Sequence, residues 1–194
     1  MKTKLFLLGI TAVLMTSTAQ ANLLDFEGLT TEAMQNLNSA TDNYGGFTWS
    51  PSFTLYNSNA FPTPVHSGSY AVVNDDGADP ISISATSAFD FGGVWLGGWS
   101  INAPVFVTLS GFDAANNLVA SLTQILAQDV EVYAKANFKN INRLEFSGGQ
   151  YFTVDDFTFS KSKSNVSDPG SLFLLTLGIL ALAVVRRKSA DAIH

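Results

Sequence analysis

The chain contains no cysteine among its 194 residues. Disulfides are therefore excluded, and the fold must be held together by apolar burial or by a bound ion. Aromatic residues supply the apolar material, since 15 Phe, 5 Tyr and 3 Trp are present. The absence of cysteine also excludes thiol nucleophiles and cysteine-ligated zinc.

Histidine is almost as scarce, and His66 is the only one between residues 22 and 160. Neither Gly-x-Ser-x-Gly nor His-Glu-x-x-His occurs, so the nucleophile elbow and the zinc-protease motif are missing. A Ser-His-Asp set built on His66 is compatible with the composition, but residues 62–65 and 67–68 around it are typical of a surface loop. Paired glycosidase carboxylates would have to come from facing strands, which a sequence does not place. We therefore expect a protein that is not an enzyme.

Basic residues are few in the central part of the chain. Between residues 22 and 160 only Lys135, Lys139 and Arg143 oppose 14 Asp and Glu, which leaves a net charge of −11. Such a surface repels phosphate backbones, so nucleic-acid partners are excluded. Unpaired carboxylates are also the ligands that hard cations prefer.

The N-terminus has the three parts of a secretory signal peptide: a positive start, an apolar run and a small-x-small cleavage site. These parts are Lys2 and Lys4, residues 5–15, and Ala19 with Ala21. We expect cleavage after residue 21, an exported protein, and a mature chain that begins at Asn22.

Residues 22–160 are rich in short runs of β-branched and aromatic residues with a period of two, which is typical of strands. Nine runs fit this pattern: residues 23–26, 46–49, 69–73, 81–83, 94–99, 105–109, 118–125, 141–146 and 151–159. Turn-forming residues separate them at 44–46, 74–77, 92–93, 116–117 and 148–149. Only residues 30–43 break the rhythm, and within them residues 31–37 fit one helical turn or a long loop. This pattern predicts an all-β fold, an antiparallel β-sandwich.

The C-terminus carries a second hydrophobic segment. Residues 172–185 contain no charge, and Arg186, Arg187 and Lys188 follow them directly. A helix over 169–188 would just cross the inner membrane, and the three cations would keep its end in the cytoplasm. A Ser- and Lys-rich linker, residues 161–168, separates this transmembrane helix from the β domain.

This tail resembles the PEP-CTERM sorting signal of Gram-negative bacteria. Its motif residues are Val166, Ser167, Asp168, Pro169 and Gly170, in which Asp168 stands where that family usually has Glu and Ser167 replaces its first Pro. The resemblance implies secretion, processing by the membrane enzyme exosortase, and delivery to the cell surface or the extracellular matrix.

The β domain also resembles the single jelly-roll domain common in PEP-CTERM proteins, and more widely galactose-binding-like jelly rolls. The resemblance rests on residues 25–28, 46–50, 147–149 and 154–157. It implies that the first and last strands lie side by side. Asp25 and Glu27 would then face Asp155 and Asp156, either as solvated carboxylates or around a structural Ca²⁺ ion. The acidic turn at residues 75–79 is a further Ca²⁺ candidate, although a solvated turn explains it as well.

Trp95 and Trp99 are four residues apart, so on a regular strand they project to the same face together with Gly97. We expect these rings, like Trp49, to fill the core, because a domain without disulfides needs them there. The alternative is an exposed platform for a sugar ring.

Two functions follow from these observations. The first is a surface- or matrix-associated structural or interaction protein that is sorted by its tail and is not catalytic. The alternative is a carbohydrate-binding module of the exopolysaccharide matrix, with or without Ca²⁺, whose partner is extracellular polysaccharide.

Overall fold

The computed structural model of the protein describes residues 20–99, 104–148 and 150–162, and beyond them Gly178 alone. The chain divides into two units, Met1–Ser162 and Lys163–His194, and the strands below belong to the first. In chain order these are β1 (Asn22–Leu24), β2 (Met34–Asn36), helix α1 (Leu37–Ala40), β3 (Thr48–Trp49), β4 (Phe53–Asn57), β5 (Tyr70–Asn74), β6 (Ile81–Gly98), β7 (Val105–Phe112), β8 (Leu118–Leu126), β9 (Glu131–Ser147) and β10 (Phe152–Lys161).

Hydrogen bonds join the ten strands into one antiparallel network. Its order is β2-β4-β5-β10-β6-β9-β7-β8, with β1 paired to β10 and β3 paired to β6. Because Leu24 pairs with Phe157, the first and last strands lie side by side, as the sequence resemblance implied.

This sheet folds over on itself around an aromatic core. Four strand-to-strand steps separate β4 from β9. At ~4.8 Å per step they would lie about 19 Å apart in a flat sheet. The rings of Phe53 on β4 and Phe146 on β9 nevertheless have centroids 6.0 Å apart. The two ends of the sheet therefore face each other, and the predicted antiparallel β-sandwich is confirmed.

Trp49 lies in this core, as expected. It is 3% exposed, and its ring centroid is 5.1 Å from that of Phe53 and 5.7 Å from that of Phe26. Its indole N–H donates to the Tyr44 carbonyl oxygen at 2.9 Å, so the buried polar atom is satisfied. Edge-to-face aromatic packing of this kind provides cohesion in a chain that has no disulfide.

The prediction that the chain turns at Gly92 and Gly93 is wrong. Both glycines lie inside β6, which runs for 18 residues and joins two segments predicted as separate strands. A Cβ atom on Gly93 would lie 2.6 Å from the carbonyl oxygen of Ala134 on β9. The pairing of β6 with β9 also shifts register between Ser84 and Gly93. The glycines therefore permit close approach at a bulged bend within a strand, not a reversal of the chain.

Other boundaries also differ from the prediction. Residues 30–43 contain β2 and the single turn α1, and β4 was not predicted. β9 begins ten residues before the predicted run at 141–146, with Asn137 and Asn140 at φ of 54° and 56°. These left-handed residues interrupt the alternation by which a strand is recognised. At the other end, β10 continues through Lys161, which pairs with Phe89, one residue into the predicted linker.

The predicted sorting elements fall largely outside the described residues, which begin at residue 20 and include only Gly178 after residue 162. Among the residues that are described, no helix has the length and apolar character needed to cross a membrane. The signal peptide, the linker and the tail helix stay predictions.

Candidate functional site

One face of the sheet points away from the core. Val72, Leu96 and Val154 are cross-strand neighbours and belong to the core cluster. Because side chains alternate along a strand, their neighbours Gly97 and Thr153 lie on the opposite side, here called the outer face.

Residues 58–68, which connect β4 to β5, fold over part of this outer face and are here called the covering loop. Thr153 and Asp155 beneath it are each 2% exposed. A Cβ atom on Gly97 would lie 2.5 Å from the Cβ of Pro64 in the loop. The loop therefore packs directly on the strand, and glycine at residue 97 makes the approach possible.

A buried carboxylate on the last strand holds one end of the covering loop. Asp155 Oδ2 accepts hydrogen bonds from the backbone N–H groups of His66 and Ser67 at 2.8 and 3.0 Å. Its Oδ1 accepts from the Asp156 N–H at 2.7 Å. Burial raises the pKa of Asp155 to about 6, and the charge of Asp156 adds to the rise, although the three N–H donors oppose it.

A second carboxylate, from the turn after the first strand, secures the residues that follow the loop. Glu27 Oε1 accepts from the Ser69 and Tyr70 N–H groups at 2.8 and 2.7 Å. Gly68 has φ of 61°, and a Cβ there would collide with the same Glu27 oxygen. Both carboxylates thus bind backbone donors within residues 66–70.

Three of the four carboxylates proposed for Ca²⁺, those of Glu27, Asp155 and Asp156, therefore contact residues 66–70, and all four are acceptors of hydrogen bonds. Asp25 Oδ1 accepts from the Glu27 N–H at 3.2 Å, and Asp156 Oδ1 accepts from the Ser67 hydroxyl at 3.0 Å. Within residues 20–99, 104–148 and 150–162, no group of three or more acidic or histidine side chains is placed to hold a metal ion. Calcium binding here stays a prediction, which a rise in melting temperature on adding Ca²⁺ would bear out.

The acidic turn at residues 75–79 is built from protein hydrogen bonds. Asp75–Gly77 forms a 3-10 turn. Asp75 accepts from the Tyr56 hydroxyl at 3.1 Å, and Asp79 accepts from the Gly148 N–H at 3.0 Å. This segment is therefore a turn between β5 and β6, and calcium binding by it stays a prediction.

Trp95 and Trp99 lie outside the core, so the expectation that their rings fill it is wrong. Both are half-buried on the outer face. The Trp95 ring stacks on His66, with centroids 3.5 Å apart. The Trp99 ring packs edge-on against Tyr56 and Tyr151, with centroids 5.1 and 6.1 Å away.

Beside Trp99 the structure has a pocket of ≈ 550 Å³. Its lining combines one indole ring and two prolines with an amide, a hydroxyl and two carboxylates. The lining residues are Pro62, Thr63, Pro64, Trp99, Gln128, Asp129 and Glu131. Of these, the sequence singled out only Trp99 as a ligand contact.

The connection between β8 and β9 brings Gln128 and Asp129 to the pocket, next to Glu131 at the start of β9. The Asp129 N–H donates to the Gly98 carbonyl oxygen at 2.9 Å, and Gln128 forms an isolated parallel bridge with Gly98. Asp129 has φ of 56°, a left-handed conformation that Asp tolerates better than most residues. An Asp two residues before a strand is a turn signal, but no sequence pattern places it beside Trp99.

The pocket is acidic. Asp129 and Glu131 line it, and neither forms an ion pair with any residue that the structure describes. Lys135 lies on the same face of β9 as Glu131, but the two residues are four positions apart, which separates them by about 13 Å along the strand. That exceeds the Debye length of ~8 Å at physiological ionic strength, so the lysine screens the pocket weakly.

His66, Ser67 and Asp155 are neighbours but are not arranged as a catalytic triad. The Ser67 hydroxyl donates to Asp156 instead of contacting the imidazole. Asp155 binds the backbone N–H of His66, while the His66 ring lies flat on Trp95. In a triad the imidazole would bind both the serine hydroxyl and the carboxylate.

Comparison with known proteins shows the fold. No family model matches the chain, and no curated protein matches it. Among solved structures it is similar to a DUF4465 family protein from Bacteroides caccae, with a TM-score of 0.54 and 16% identity, covering 74% of this chain and 100% of that one. That likeness establishes a shared architecture alone.

Two carbohydrate-binding modules are more distant. The C-terminal family 22 module of a Clostridium thermocellum xylanase matches with a TM-score of 0.41 and 11% identity, covering 75% of this chain and 96% of that one. A family 61 module in complex with β-1,4-galactotriose matches with a TM-score of 0.31 and 14% identity, covering 63% and 93%. At these TM-scores neither match decides function.

Proposed function

We propose that the β domain is a non-catalytic carbohydrate-binding module and that its site is the pocket beside Trp99. The observation that carries the proposal is the half-buried Trp99 ring in a pocket whose other walls bear hydrogen-bonding groups. A sugar ring has an apolar face that packs on an indole and hydroxyls that need donors and acceptors. The volume of ≈ 550 Å³ lies within the ordinary range for small-ligand sites.

The outer face provides room for a chain longer than one sugar. Tyr133 is 38% exposed, and its ring centroid is 5.5 Å from that of Trp95. Its position on β9 is two residues from Glu131, about 7 Å along the same face. We propose that a polysaccharide segment lies across Trp99 and extends toward Tyr133.

The test is calorimetry of the 194-residue chain with neutral oligosaccharides selected on a glycan array, with and without Ca²⁺. Trp99→Ala should abolish binding, because the apolar surface on which a sugar ring packs is lost with the indole. Phe106→Ala, which removes an aromatic side chain that is 55% exposed and does not line the pocket, is the matched control and should bind as the wild type does. If the wild-type chain binds no glycan in either condition, the purely structural function of a surface protein stands instead.

We further propose that the protein is exported and sorted through its C-terminal tail as a substrate of exosortase. The support is the tripartite sequence of motif, apolar residues 172–185 and basic cluster. Fractionation of tagged protein in cells with and without an exosortase tests this. Leu174→Asp with Leu177→Asp should destroy membrane insertion, since each central charge costs about 2.5–3.5 kcal/mol. If the wild type and the double variant are both soluble, uncleaved and of the same mass, the proposal is wrong.

A further inference from the structure

Strand β8 (Leu118–Leu126) forms one end of the sheet and, among the strands that the structure describes, pairs only with β7. Its sequence is Leu-Val-Ala-Ser-Leu-Thr-Gln-Ile-Leu, which has no charge, proline or glycine. The strand at the opposite end, β2, is only 3 residues long. Natural edge strands are usually protected by short length, lysine, proline or bulges. β8 has one register shift at its beginning and otherwise none of these protections.

The exposed face of β8 continues a ladder of side chains from β7. The hydroxyls of Thr123 and Thr108 are 2.9 Å apart, and those of Ser121 and Ser110 are 3.4 Å apart. Ile125 on this face is 55% exposed and lies opposite Phe106, which is exposed to the same extent.

The sequence of β8 is complementary to itself about Leu122. In an antiparallel pair of two β8 strands with Leu122 opposite its own copy, Ser121 faces Thr123 and Val119 faces Ile125. The hydroxyl ladder would then run across both copies, and the apolar side chains that are 47% and 55% exposed would cover each other. Opposed pairs of these types stabilise antiparallel sheets.

We propose that β8 pairs with β8 of a second copy of this chain about a two-fold axis at Leu122, which makes one continuous sheet from two domains. Such an isologous contact closes on itself and yields a dimer, not a filament. Charge favours this location, because residues 22–160 carry −11 overall whereas the β7–β8 hairpin has Asp113 as its one charged residue. Two acidic domains approach each other here with little repulsion.

The first test compares two lysine substitutions in the 194-residue chain by analytical ultracentrifugation over a range of concentrations. Thr123→Lys places a charge on the edge strand and should abolish the dimer. Thr108→Lys changes the hydroxyl partner of Thr123 on the same face of β7, away from the edge, and should leave the dimer intact. Both variants retain the apolar tail, so any association through the tail is common to them. A monomeric wild type, or a Thr123→Lys variant that still dimerises, would overturn the proposal.

The second test measures register with single cysteines, in a chain that has none of its own. Residues directly opposite in an antiparallel pair have Cα atoms about 4.5–5.5 Å apart, within the range of a disulfide. Leu122→Cys should therefore cross-link two copies under mild oxidation. Gln124→Cys should not, because its copy would lie four residues away, about 13 Å along the strand. Circular dichroism checks that both variants are folded. Equal cross-linking of both, or of neither, would contradict the two-fold at Leu122.

Discussion

The imidazole of His66 lies flat on the indole of Trp95, with ring centroids 3.5 Å apart and planes inclined by 10°. The His66 backbone N–H donates to Asp155 on the neighbouring strand, so the same residue fastens the covering loop by its ring and by its backbone. Trp95 is therefore a platform for the protein's own loop. Trp99, four residues later and just beyond the end of β6, lines the pocket.

His66→Ala should destabilise the domain by about 0.5–1.5 kcal/mol, the usual contribution of an aromatic pair beyond its buried area. His66→Phe keeps a flat ring over Trp95 and should therefore retain most of the stability that His66→Ala loses. Urea denaturation of the two variants measures the difference, and tryptophan fluorescence reports the freed indole. If His66→Phe is as unstable as His66→Ala, the stack is not what holds the loop.

Stability should depend on pH through Asp155. Because burial raises the folded-state pKa of Asp155 from 3.8 to about 6, the folded protein binds this proton more tightly than the unfolded chain does. The group therefore contributes stability that is fully present below pH 3.8 and is lost as the pH rises through about 6. The difference corresponds to about 3 kcal/mol.

Urea unfolding at several pH values, from below the unfolded-state pKa of Asp155 to above its folded-state pKa, measures this contribution. Asp155→Asn should remove a change of about 3 kcal/mol from the plot of unfolding free energy against pH. Asp42→Asn is the control, since it removes an exposed carboxylate and should leave that change in place. Identical profiles for wild type and Asp155→Asn would show that Asp155 is not the titrating group.

The two pocket carboxylates should exclude acidic sugars. A neutral oligosaccharide should bind the wild-type chain more tightly than the uronate of the same length and linkage. The reason is that Asp129 and Glu131 repel a third carboxylate, and the described residues of the lining include no cation. The double substitution Asp129→Asn with Glu131→Gln should reduce the difference in affinity between the neutral sugar and the uronate. Added salt should reduce the same difference in the wild type. Calorimetry measures both effects, and a wild type that prefers the uronate would refute the electrostatic argument.

Gly93→Ala should destabilise the fold by about 1–3 kcal/mol, the usual cost of overpacking. The added Cβ would lie 2.6 Å from the Ala134 carbonyl oxygen, and backbone cannot move aside as a side chain does. Ser87→Ala, an exposed change on the same strand, serves as the control for thermal unfolding. If the two variants have the same melting temperature, the close approach of β6 to β9 does not require glycine at residue 93.

Much of the architecture was predictable because its signals are local. A period of two, together with turn residues such as Asn116 at φ of 64°, indicates antiparallel strands without any knowledge of their partners. Gly92 and Gly93 were misassigned because a glycine pair suits a chain reversal and a close strand approach equally well. The choice between the two depends on the carbonyl of Ala134, which belongs to a strand far along the sequence.

The site needed the tertiary structure for a related reason. Alternation along a strand determined that Trp95 and Trp99 share a face, but it does not say whether that face points to the core or away from it. That choice depends on the core side of the neighbouring strands and on where residues 58–68 fold. The pocket likewise unites residues 62–64 and Trp99 with Gln128, Asp129 and Glu131. By itself the sequence determined the strand type, the acidic charge and the fact that the two tryptophans share a face. The folding of the sheet decided which face is exposed to water, because the burial of a side chain depends on all the strands that pack around it and not on its own strand alone.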